Sequence, residues 1–438
     1  MFFAVLTERK ILLTHTRTEL MPGVHFRAIH TTKFKSAYLS VTFLAPLQQK
    51  SAAVNALIPY VLRRGSKSCP DMESVSAALD ELYGGAIEPM VRKKGETQCV
   101  GFAASFLDDA YTLEGEQILE PAAAMLGELL LNPLTENGHF SAGYVAGEKA
   151  NLIDRIRSQI NDKRSYATLR LKQLMCRDEA FGVDTWGDEE HAAAITEEDL
   201  WQQYRWMLSN CEVEVYYCGS AEPERARRAM MDALKNLPRS ESFAQTDCEI
   251  RLTVESQPRV VEEAMDVTQG KLAMGFRTGG ITVWEEEFLA LLMLNGVFGG
   301  TTLSKLFMNV REKLSLCYYA SSTLEKMKGL VCVSSGIEFD KYQQARDEIL
   351  VQLEAIRSGQ VEDWELEGAR RTLMTGYMSL LDSQGRQEDF WLGQAVSGLE
   401  ETPEQLAQRI EQVTLDQVVQ AAHKLQLDTI YFLKGKEM

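Results

Sequence analysis

The stretch from Asn295 to Tyr319, NGVFGGTTLSKLFMNVREKLSLCYY, joins a glycine break to an amphipathic helix and a strand. The pair Gly299-Gly300 interrupts the preceding apolar run, because glycine adopts backbone angles that other residues resist. Apolar residues then recur at the spacing of a single helix face: Leu303, Leu306, Phe307 and Val310. This spacing predicts a helix with a buried face.

A predicted strand follows that helix, since Leu314–Tyr319 alternate in polarity. The order of elements puts Arg311 at the end of the helix and Tyr318 in the strand. On spacing alone, a core helix ending in a solvated arginine is the simpler interpretation of these two residues.

The composition indicates a globular protein of more than one domain. A chain of 438 residues is long enough for two domains, and 45% hydrophobic with 25% charged residues is ordinary for a soluble protein. The formal net charge of -17 makes a phosphate-binding surface a poor expectation. Nucleic acid is therefore not an expected partner.

The sequence indicates neither a targeting segment nor a framework of paired cysteines. The start, MFFAVLTERK, is too short in apolar residues for a secretory signal, and no run approaches the roughly 18 apolar residues of a membrane helix. The eight cysteines are scattered and form no C-x-x-C pair. These features predict a cytoplasmic protein with reduced thiols and no membrane span.

The order of predicted elements repeats along the chain. Both halves end alike, with YRWMLSNCEVEVYYCG closing at Gly219 and AAHKLQLDTIYFLKG closing at Gly435, 216 positions later. Each is a helix, a polar joint, a strand and a glycine. The sequence predicts duplicated domains at 1–237 and 261–438, with a polar linker at 238–260. Runs of strands and of helices favour an α+β fold, and two unrelated α+β domains are the alternative.

No catalytic constellation emerges from the residues themselves. The histidines are few and dispersed: His15, His25, His30, His139, His191 and His423. His25 and His30 fall on opposite faces of a predicted strand, and H-x-x-E-H, H-E-x-x-H and H-x-x-x-H are all absent. The serine-hydrolase pattern G-x-S-x-G and the Walker pattern are absent too. The segment Glu179–Trp186 (EAFGVDTW) is predicted to be an ordered loop of the first domain.

The chain nevertheless resembles the pitrilysin/insulinase family of zinc peptidases over nearly its whole length. Family members carry a glycine pair followed by S-x-L-F-x-x-L-R-E-x-x-x-L-x-Y, against LSKLFMNVREKLSLCYY here. The resemblance implies two homologous domains like those of mitochondrial processing peptidase, each a mainly antiparallel sheet with helices packed on one face. It also implies a substrate-binding pair, Arg311 and Tyr318, that reaches the peptide held at the zinc of the first half in active relatives.

The first half departs from the family at its metal motif. The catalytic motif H-x-x-E-H corresponds to part of LIPYVLRRGS, so the two histidines become Ala56 and Tyr60, and the glutamate becomes Pro59. Two family glutamates seven residues apart correspond to Glu148 and Arg155. The second of these binds the metal in the family, and a cationic arginine there repels zinc. The resemblance thus implies no metal ligands and no catalytic residues in this chain.

A subgroup is also indicated. The run NLIDRIRSQINDKRSYATLRL, followed by DEAFG, is most similar to the YfmF-type non-catalytic subgroup. The resemblance connects that subgroup with 5-aminopentanol modification of elongation factor P, and its members with zinc-containing paralogues.

Three functional hypotheses follow. In the first, the chain is a non-catalytic subunit that binds a peptide or protein substrate together with a zinc-motif paralogue. Zinc is then expected only in the partner subunit. The expected assembly is a heterodimer, and a homodimer is the alternative. In the second, the chain is a metallopeptidase with a relocated site built from His139, Glu148 and Asp154. In the third, it is a scaffolding homologue in which Arg311 and Tyr318 serve packing alone.

Overall fold

The computed structural model describes residues 17–436, which form two compact units. The first comprises residues 17–93, 97–156 and 185–246, and the second residues 94–96, 157–184 and 247–436. The opening segment MFFAVLTERK and His15 lie outside the described residues. No helix within 17–436 is long and apolar enough to cross a membrane.

Two main sheets and one small hairpin contain the strands. In chain order the strands are β1 (Thr18–Met21), β2 (Val24–His30), β3 (Ser36–Pro46), β4 (Ala86–Lys94), β5 (Thr97–Leu107), β6 (Thr135–Glu136), β7 (His139–Phe140), β8 (Glu212–Gly219), β9 (Arg259–Met265), β10 (Gly270–Arg277), β11 (Cys317–Glu325), β12 (Leu330–Ile337) and β13 (Gln426–Gly435). The first sheet has the order β1-β2-β8-β3-β5-β4 and the second β11-β12-β10-β13-β9, while β6 and β7 pair separately.

Fourteen α-helices lie within residues 17–436. They are α1 (Gln49–Leu62), α2 (Met72–Asp80), α3 (Leu119–Leu131), α4 (Ala142–Ser158), α5 (Lys163–Met175), α6 (Glu189–Ala194), α7 (Glu197–Asn210), α8 (Pro223–Leu234), α9 (Phe288–Asn295), α10 (Tyr342–Arg357), α11 (Asp363–Met378), α12 (Gln384–Ser397), α13 (Pro403–Glu411) and α14 (Leu415–Lys424). Wider, π-type turns follow α9 at Gly296–Gly300 and recur at Leu306–Lys313.

The two sheets share one topology. From β2 the first sheet runs β2-β8-β3-β5-β4, and from β9 the second runs β9-β13-β10-β12-β11. In each, the first pair is parallel (β2 with β8, β9 with β13), and the other pairings recorded for these two series are antiparallel. The predicted α+β class with homologous, mainly antiparallel domains is confirmed.

The core of the first unit forms between its sheet and its helices. Alternate residues of β3, such as Leu39 and Val41, share one apolar cluster with Ala56 and Leu57 of α1. Side chains alternate between the two faces of a strand and return to one face of a helix every 3.6 residues. Burial with these two periods is expected where helices cover a sheet. In the second unit α5 packs on β10 and β13, where Leu171 joins a small cluster with Tyr431.

The stretch around Arg311 differs in detail from its sequence prediction. Leu306 and Val310 are fully buried, but Leu303 is 41% exposed, because it precedes the helical turns, whose wider winding also departs from the assumed period. The strand begins at Cys317 and not at Leu314, after Ser315 takes a left-handed backbone with φ of 48°. The alternation that predicted a strand here belongs to this connecting turn.

The expected role of the segment Glu179–Trp186 was wrong for most of its length. Residues up to Asp184 belong to the second unit, where the side chain of Phe181 packs with Leu330. The boundary between the units at 246/247 falls inside the predicted linker 238–260. Contacts within the chain do not test duplicated-domain boundaries, so 1–237 and 261–438 stay a prediction.

Candidate functional site

Two of the motif positions on α1 are closed to solvent. Ala56 is fully buried in the apolar core of the first unit, and Pro59 is buried inside the helix. Proline has no backbone N–H to donate, and neither side chain carries a lone pair for a metal. Tyr60, one residue further along, is only half-buried.

On α4, Glu148 is committed to a structural ion pair. Its buried carboxylate accepts a hydrogen bond from Arg64 and another from the Asn151 amide at 3.1 Å. Because both oxygens are occupied in this way, the arrangement leaves this glutamate in a supporting role.

Arg155 lies two helical turns after Glu148, and its guanidinium meets Tyr60. Arg155 Nη1 donates a hydrogen bond to the Tyr60 hydroxyl. Its Cζ atom lies 4.7 Å from the centre of the Tyr60 ring and 4.5 Å from the centre of the Trp186 ring. The two ring centres are 6.1 Å apart at an interplanar angle of 54°. The side chain of Arg155 is exposed, and both rings are half-buried.

The contact agrees with the motif assignment from the sequence. Positions 60 and 155, 95 residues apart, come within hydrogen-bond distance, as two ligands of one metal would. The chemistry is reversed, however, since one side chain is now a cation and the other a hydroxyl. An arginine and a tyrosine thus stabilise the contact between α1 and α4.

The alternative metal site does not assemble. The His139 imidazole pairs with Glu198 at 2.5 Å, Glu148 pairs with Arg64, and Asp154 is exposed. Within residues 17–436 no group of three or more His, Cys, Asp and Glu side chains is arranged to hold a metal. The residues present in this region therefore do not fit a zinc ion.

Arg311 lies near the end of the wide helical turns of the second unit. Its guanidinium carbon is 4.7 Å from the centre of the Phe307 ring, and its Nε atom is 3.5 Å from the Glu312 carboxylate. The side chain keeps 40% of its surface exposed. A stacked, partly exposed guanidinium retains donors for a further ligand.

Tyr318 is turned outward by an irregularity in the sheet. Cys317 pairs with Ile337 and Tyr319 with Gly336, so Tyr318 is the extra residue of a β-bulge. It is 57% exposed, and its hydroxyl donates a long 3.4 Å hydrogen bond to Glu338. Arg311 and Tyr318 thus lie on consecutive elements with separate neighbours, and both present polar atoms to solvent.

Comparison with known proteins identifies the family. A relative from Bacillus subtilis strain 168, "Probable inactive metalloprotease YmfF", is 34% identical over 95% of this chain and 96% of its own length. Residues 194–373 match the family described as "Peptidase M16 inactive domain". The chain belongs to the peptidase M16 family. The subgroup label YfmF is corrected accordingly to YmfF.

Solved structures agree with this placement of the M16 homologue. A conserved protein from Enterococcus faecalis V583 has a TM-score of 0.88 at 29% identity, covering 96% of this chain and 98% of that one. A peptidase M16 inactive domain from Pseudomonas fluorescens has a TM-score of 0.76 at 16% identity, covering 96% and 98%. The latter is evidence for the fold alone. The chain is a homologue of zinc metallopeptidases without their zinc motif.

Sequence reasoning on this M16 homologue missed Trp186. The residue ends the segment EAFGVDTW, which carried no periodic signal, and it approaches Arg155 through the tertiary fold. Arginine stacks readily on aromatic rings, but no spacing rule links residues 31 positions apart. An arginine in place of a metal ligand, together with a tryptophan in the segment EAFGVDTW, was the available signal.

Proposed function

We propose that this chain is the non-catalytic subunit of a zinc-peptidase pair. It binds a peptide or protein substrate together with a paralogue that has an intact H-x-x-E-H motif. Arg311 and Tyr318 are its contribution to the partner's site, and the zinc belongs to the partner.

One observation carries the proposal: the ligand positions of the first unit hold a Tyr60–Arg155 contact, while the second unit keeps Arg311 and Tyr318 exposed. Both side chains therefore have polar atoms that a substrate can reach. The inactive-domain match at residues 194–373 is consistent with a role without catalysis.

The chemistry of the pair suits a substrate held elsewhere. The Arg311 guanidinium offers a rigid set of donors for a peptide carbonyl or carboxylate. The Tyr318 hydroxyl can donate a hydrogen bond to the oxygen that gains negative charge when water attacks a peptide bond. Zinc in the partner would supply the activated water for that attack.

The cytoplasmic location and the connection with elongation factor P modification belong to the same proposal and derive from the resemblance. A scaffolding role is the second candidate. It is favoured by the stacking of Arg311 on Phe307 and by the Tyr318–Glu338 hydrogen bond, which would suffice for packing alone.

The experiment co-expresses the chain with an H-x-x-E-H paralogue and measures peptide turnover by the purified pair. Replacing Tyr318 by Phe removes one hydroxyl, and Arg311→Met removes the charge at similar length. Loss of a transition-state donor lowers kcat by roughly 100-fold. Each variant is expected to show such a loss with the complex intact on a sizing column.

Arg386→Met on α12 and Tyr111→Phe, which change exposed residues, are the matched controls and should leave turnover unchanged. Unchanged turnover in the Arg311→Met/Tyr318→Phe double variant would instead support the scaffold. Chelator-sensitive cleavage by the chain alone would overturn both readings in favour of a metallopeptidase.

A further inference from the structure

Lys326 lies in the turn that joins β11 to β12, and its side chain is half-buried. Its backbone carbonyl accepts a hydrogen bond from the Val283 N–H at an N···O distance of 2.9 Å, which anchors the residue in the second unit. Within the described residues, the two charged groups that act on its amine are Lys94 and Asp389, and both belong to the second unit as well. The amine thus has one cation and one anion as neighbours.

The carboxylate of Asp389 is already committed to Lys94. Lys94 Nζ lies 2.7 Å from Asp389 Oδ1 and also donates a hydrogen bond to the Asp389 backbone carbonyl at 3.2 Å. Across residues 17–436, Lys326 Nζ has no hydrogen bond or ion pair of its own. An ammonium has three N–H donors, so one donor of Lys94 remains after these two contacts. Two amines therefore share a single carboxylate, and only one of them is paired with it.

The other charged groups of this turn have partners of their own. Glu325 is paired with Lys172, and Lys328 with two buried glutamates. Burial, followed by repulsion from the neighbouring cation, lowers the pKa of Lys326 to about 8. At neutral pH the fraction of neutral amine is then roughly a hundredfold or more that of an ordinary lysine. A neutral amine has the lone pair that makes lysine a nucleophile.

A glycine on the facing helix leaves room beside this amine. Gly393 is buried within α12, and a Cβ atom at this position would lie 3.6 Å from Lys326 Nζ. The backbone of Gly393 is not left-handed, so its conformation does not require a glycine. Without that methyl group, a reagent of a few atoms can lie against the nitrogen. The small size of the space favours such a reagent over a bulky acyl donor.

We propose that Lys326 is a modification site for carbon dioxide and forms a lysine carbamate. The Nζ lone pair attacks the carbon of CO2, an N–C bond forms as the electron pair of one C–O π bond moves onto oxygen, and one amine proton passes to water. The product is an anion, and the remaining N–H of Lys94 donates to it. Charge-assisted hydrogen bonds are about twice as strong as neutral ones. An amide or an imine carries no negative charge and would gain nothing comparable from Lys94.

Asp389 is the one described charge that opposes the carbamate. Its side chain is 49% exposed, so water and salt screen the repulsion between the two anions. The modification would convert Lys326 from a cation in part of the molecules to an anion. It concerns the second unit only and is independent of the proposed role of Arg311 and Tyr318.

The test detects the carbamate on the full chain. The protein is equilibrated with 13C-labelled bicarbonate at about pH 8, and the carbamate carbon is followed by 13C NMR. The α-amino group of the chain, whose pKa is also roughly 8, is expected to give a second carbamate signal. Lys326→Met should abolish one signal and leave the other as an internal reference. If Lys326→Met removes no signal, the proposal is wrong.

Covalent trapping locates the modified residue. Triethyloxonium alkylates the carbamate, and mass spectrometry of tryptic peptides then identifies the labelled amine. We expect the label on Lys326 and on the α-amino group, and not on exposed lysines such as Lys67 and Lys313. An even label over the exposed lysines would overturn the proposal. Acetylation of Lys326 by acetyl phosphate without any carbamate would overturn it too, since the amine would then be reactive but not a site for CO2.

Variants connect the signal to the neighbours of Lys326. Gly393→Ala fills the space beside the amine and should lower the carbamate about tenfold through overpacking, although alanine is the better helix former. Lys94→Met removes the remaining donor and should lower it about tenfold or more, while Lys94→Arg keeps a cation and should retain most of it. Lys313→Met is the matched control and should leave it unchanged. An unchanged carbamate in Gly393→Ala or in Lys94→Met would contradict the assigned geometry and overturn the proposal.

Discussion

Cationic side chains have opposite surroundings in the two units. In the first unit, Arg155 is exposed, and its guanidinium contacts two aromatic rings and the Tyr60 hydroxyl. In the second, the side chain of Lys328 is 0% exposed and ion-paired to Glu96 and Glu179, at 2.7 and 2.6 Å. Arg277, 1% exposed, also binds Glu179, at 2.6 Å.

The difference separates a buried structural charge from an exposed one. A buried cation must have carboxylate partners, because desolvation of an unpaired charge costs far more than one hydrogen bond returns. An exposed cation stacked on rings remains hydrated at its edges and has no such need. The two buried carboxylates therefore mark Lys328 as a structural cation, whereas Arg155 lies at the surface and stacks on two rings.

Helix contacts in the two units also differ in the size of the side chains that make them. In the first unit α1 meets α4 through Tyr60 and Arg155. In the second, a Cβ atom at Gly296 would lie 3.1 Å from the Cβ of Ala369 on α11, so the backbone approaches too closely for large side chains. At Gly296 the second unit thus has room for a small residue only.

The largest loss of stability is expected on replacement of Lys328. Replacing it with Met leaves the carboxylates of Glu96 and Glu179 buried without their shared cation. Removing one partner of a buried ion pair costs about 3–5 kcal/mol. We expect a loss of that size in the free energy of unfolding of the second unit, measured by urea denaturation. Lys313→Met, at an exposed lysine, is the matched control and should change it by less than about 0.5 kcal/mol.

The loss of stability in Lys328→Met should depend on pH, because Lys328 is paired to the Glu179 carboxylate. Burial works to raise the pKa of Glu179, but hydrogen bonds from Arg277 and Lys328 outweigh it, so this pKa lies below its usual value. A lowered carboxyl pKa gives stability that is present above the unfolded value and lost as the pH falls through the folded one. The difference between Lys328→Met and the unaltered protein should shrink in acid. A difference that is already small at neutral pH would show that the cluster is not structural.

The helices and strands could be predicted from the sequence, but the ion-pair and aromatic clusters could not. Periodicity placed most helices and strands, and the repeat of YRWMLSNCEVEVYYCG as AAHKLQLDTIYFLKG predicted the shared topology. Glu96, Glu179, Arg277 and Lys328 come from four distant segments, and only tertiary folding brings them together. Local patterns contain no information on such contacts, so both the buried cluster and the position of Trp186 were missed.

Lys326 is intermediate in burial between Lys328 and Arg155. Its side chain is half-buried, and burial together with repulsion from Lys94 lowers its pKa to about 8, although Asp389 opposes this shift. The folded state therefore holds fewer protons than the unfolded state between about pH 8 and 10.5, the usual pKa of lysine, so the stability contributed by this group rises across that range. Lys326→Met should stabilise the protein at pH 7, by up to about 3 kcal/mol, and the gain should disappear towards pH 10.5. Unfolding by urea at several pH values measures both; a constant gain would contradict the assigned cause.

The smallest loss of stability is expected on replacement of Arg155. Arg155→Met removes a cation that is exposed and stacked on two rings, and such contacts are each worth roughly 0.5–1 kcal/mol at exposed sites. The methionine stem still covers part of the Tyr60 and Trp186 rings, so we expect the first unit to lose about 1 kcal/mol or less. The free energy of unfolding of this variant, set beside that of Lys328→Met, measures the contrast directly. A loss of 3 kcal/mol or more would mean that Arg155, like Lys328, is a structural cation, and the argument from its exposed setting would then fail.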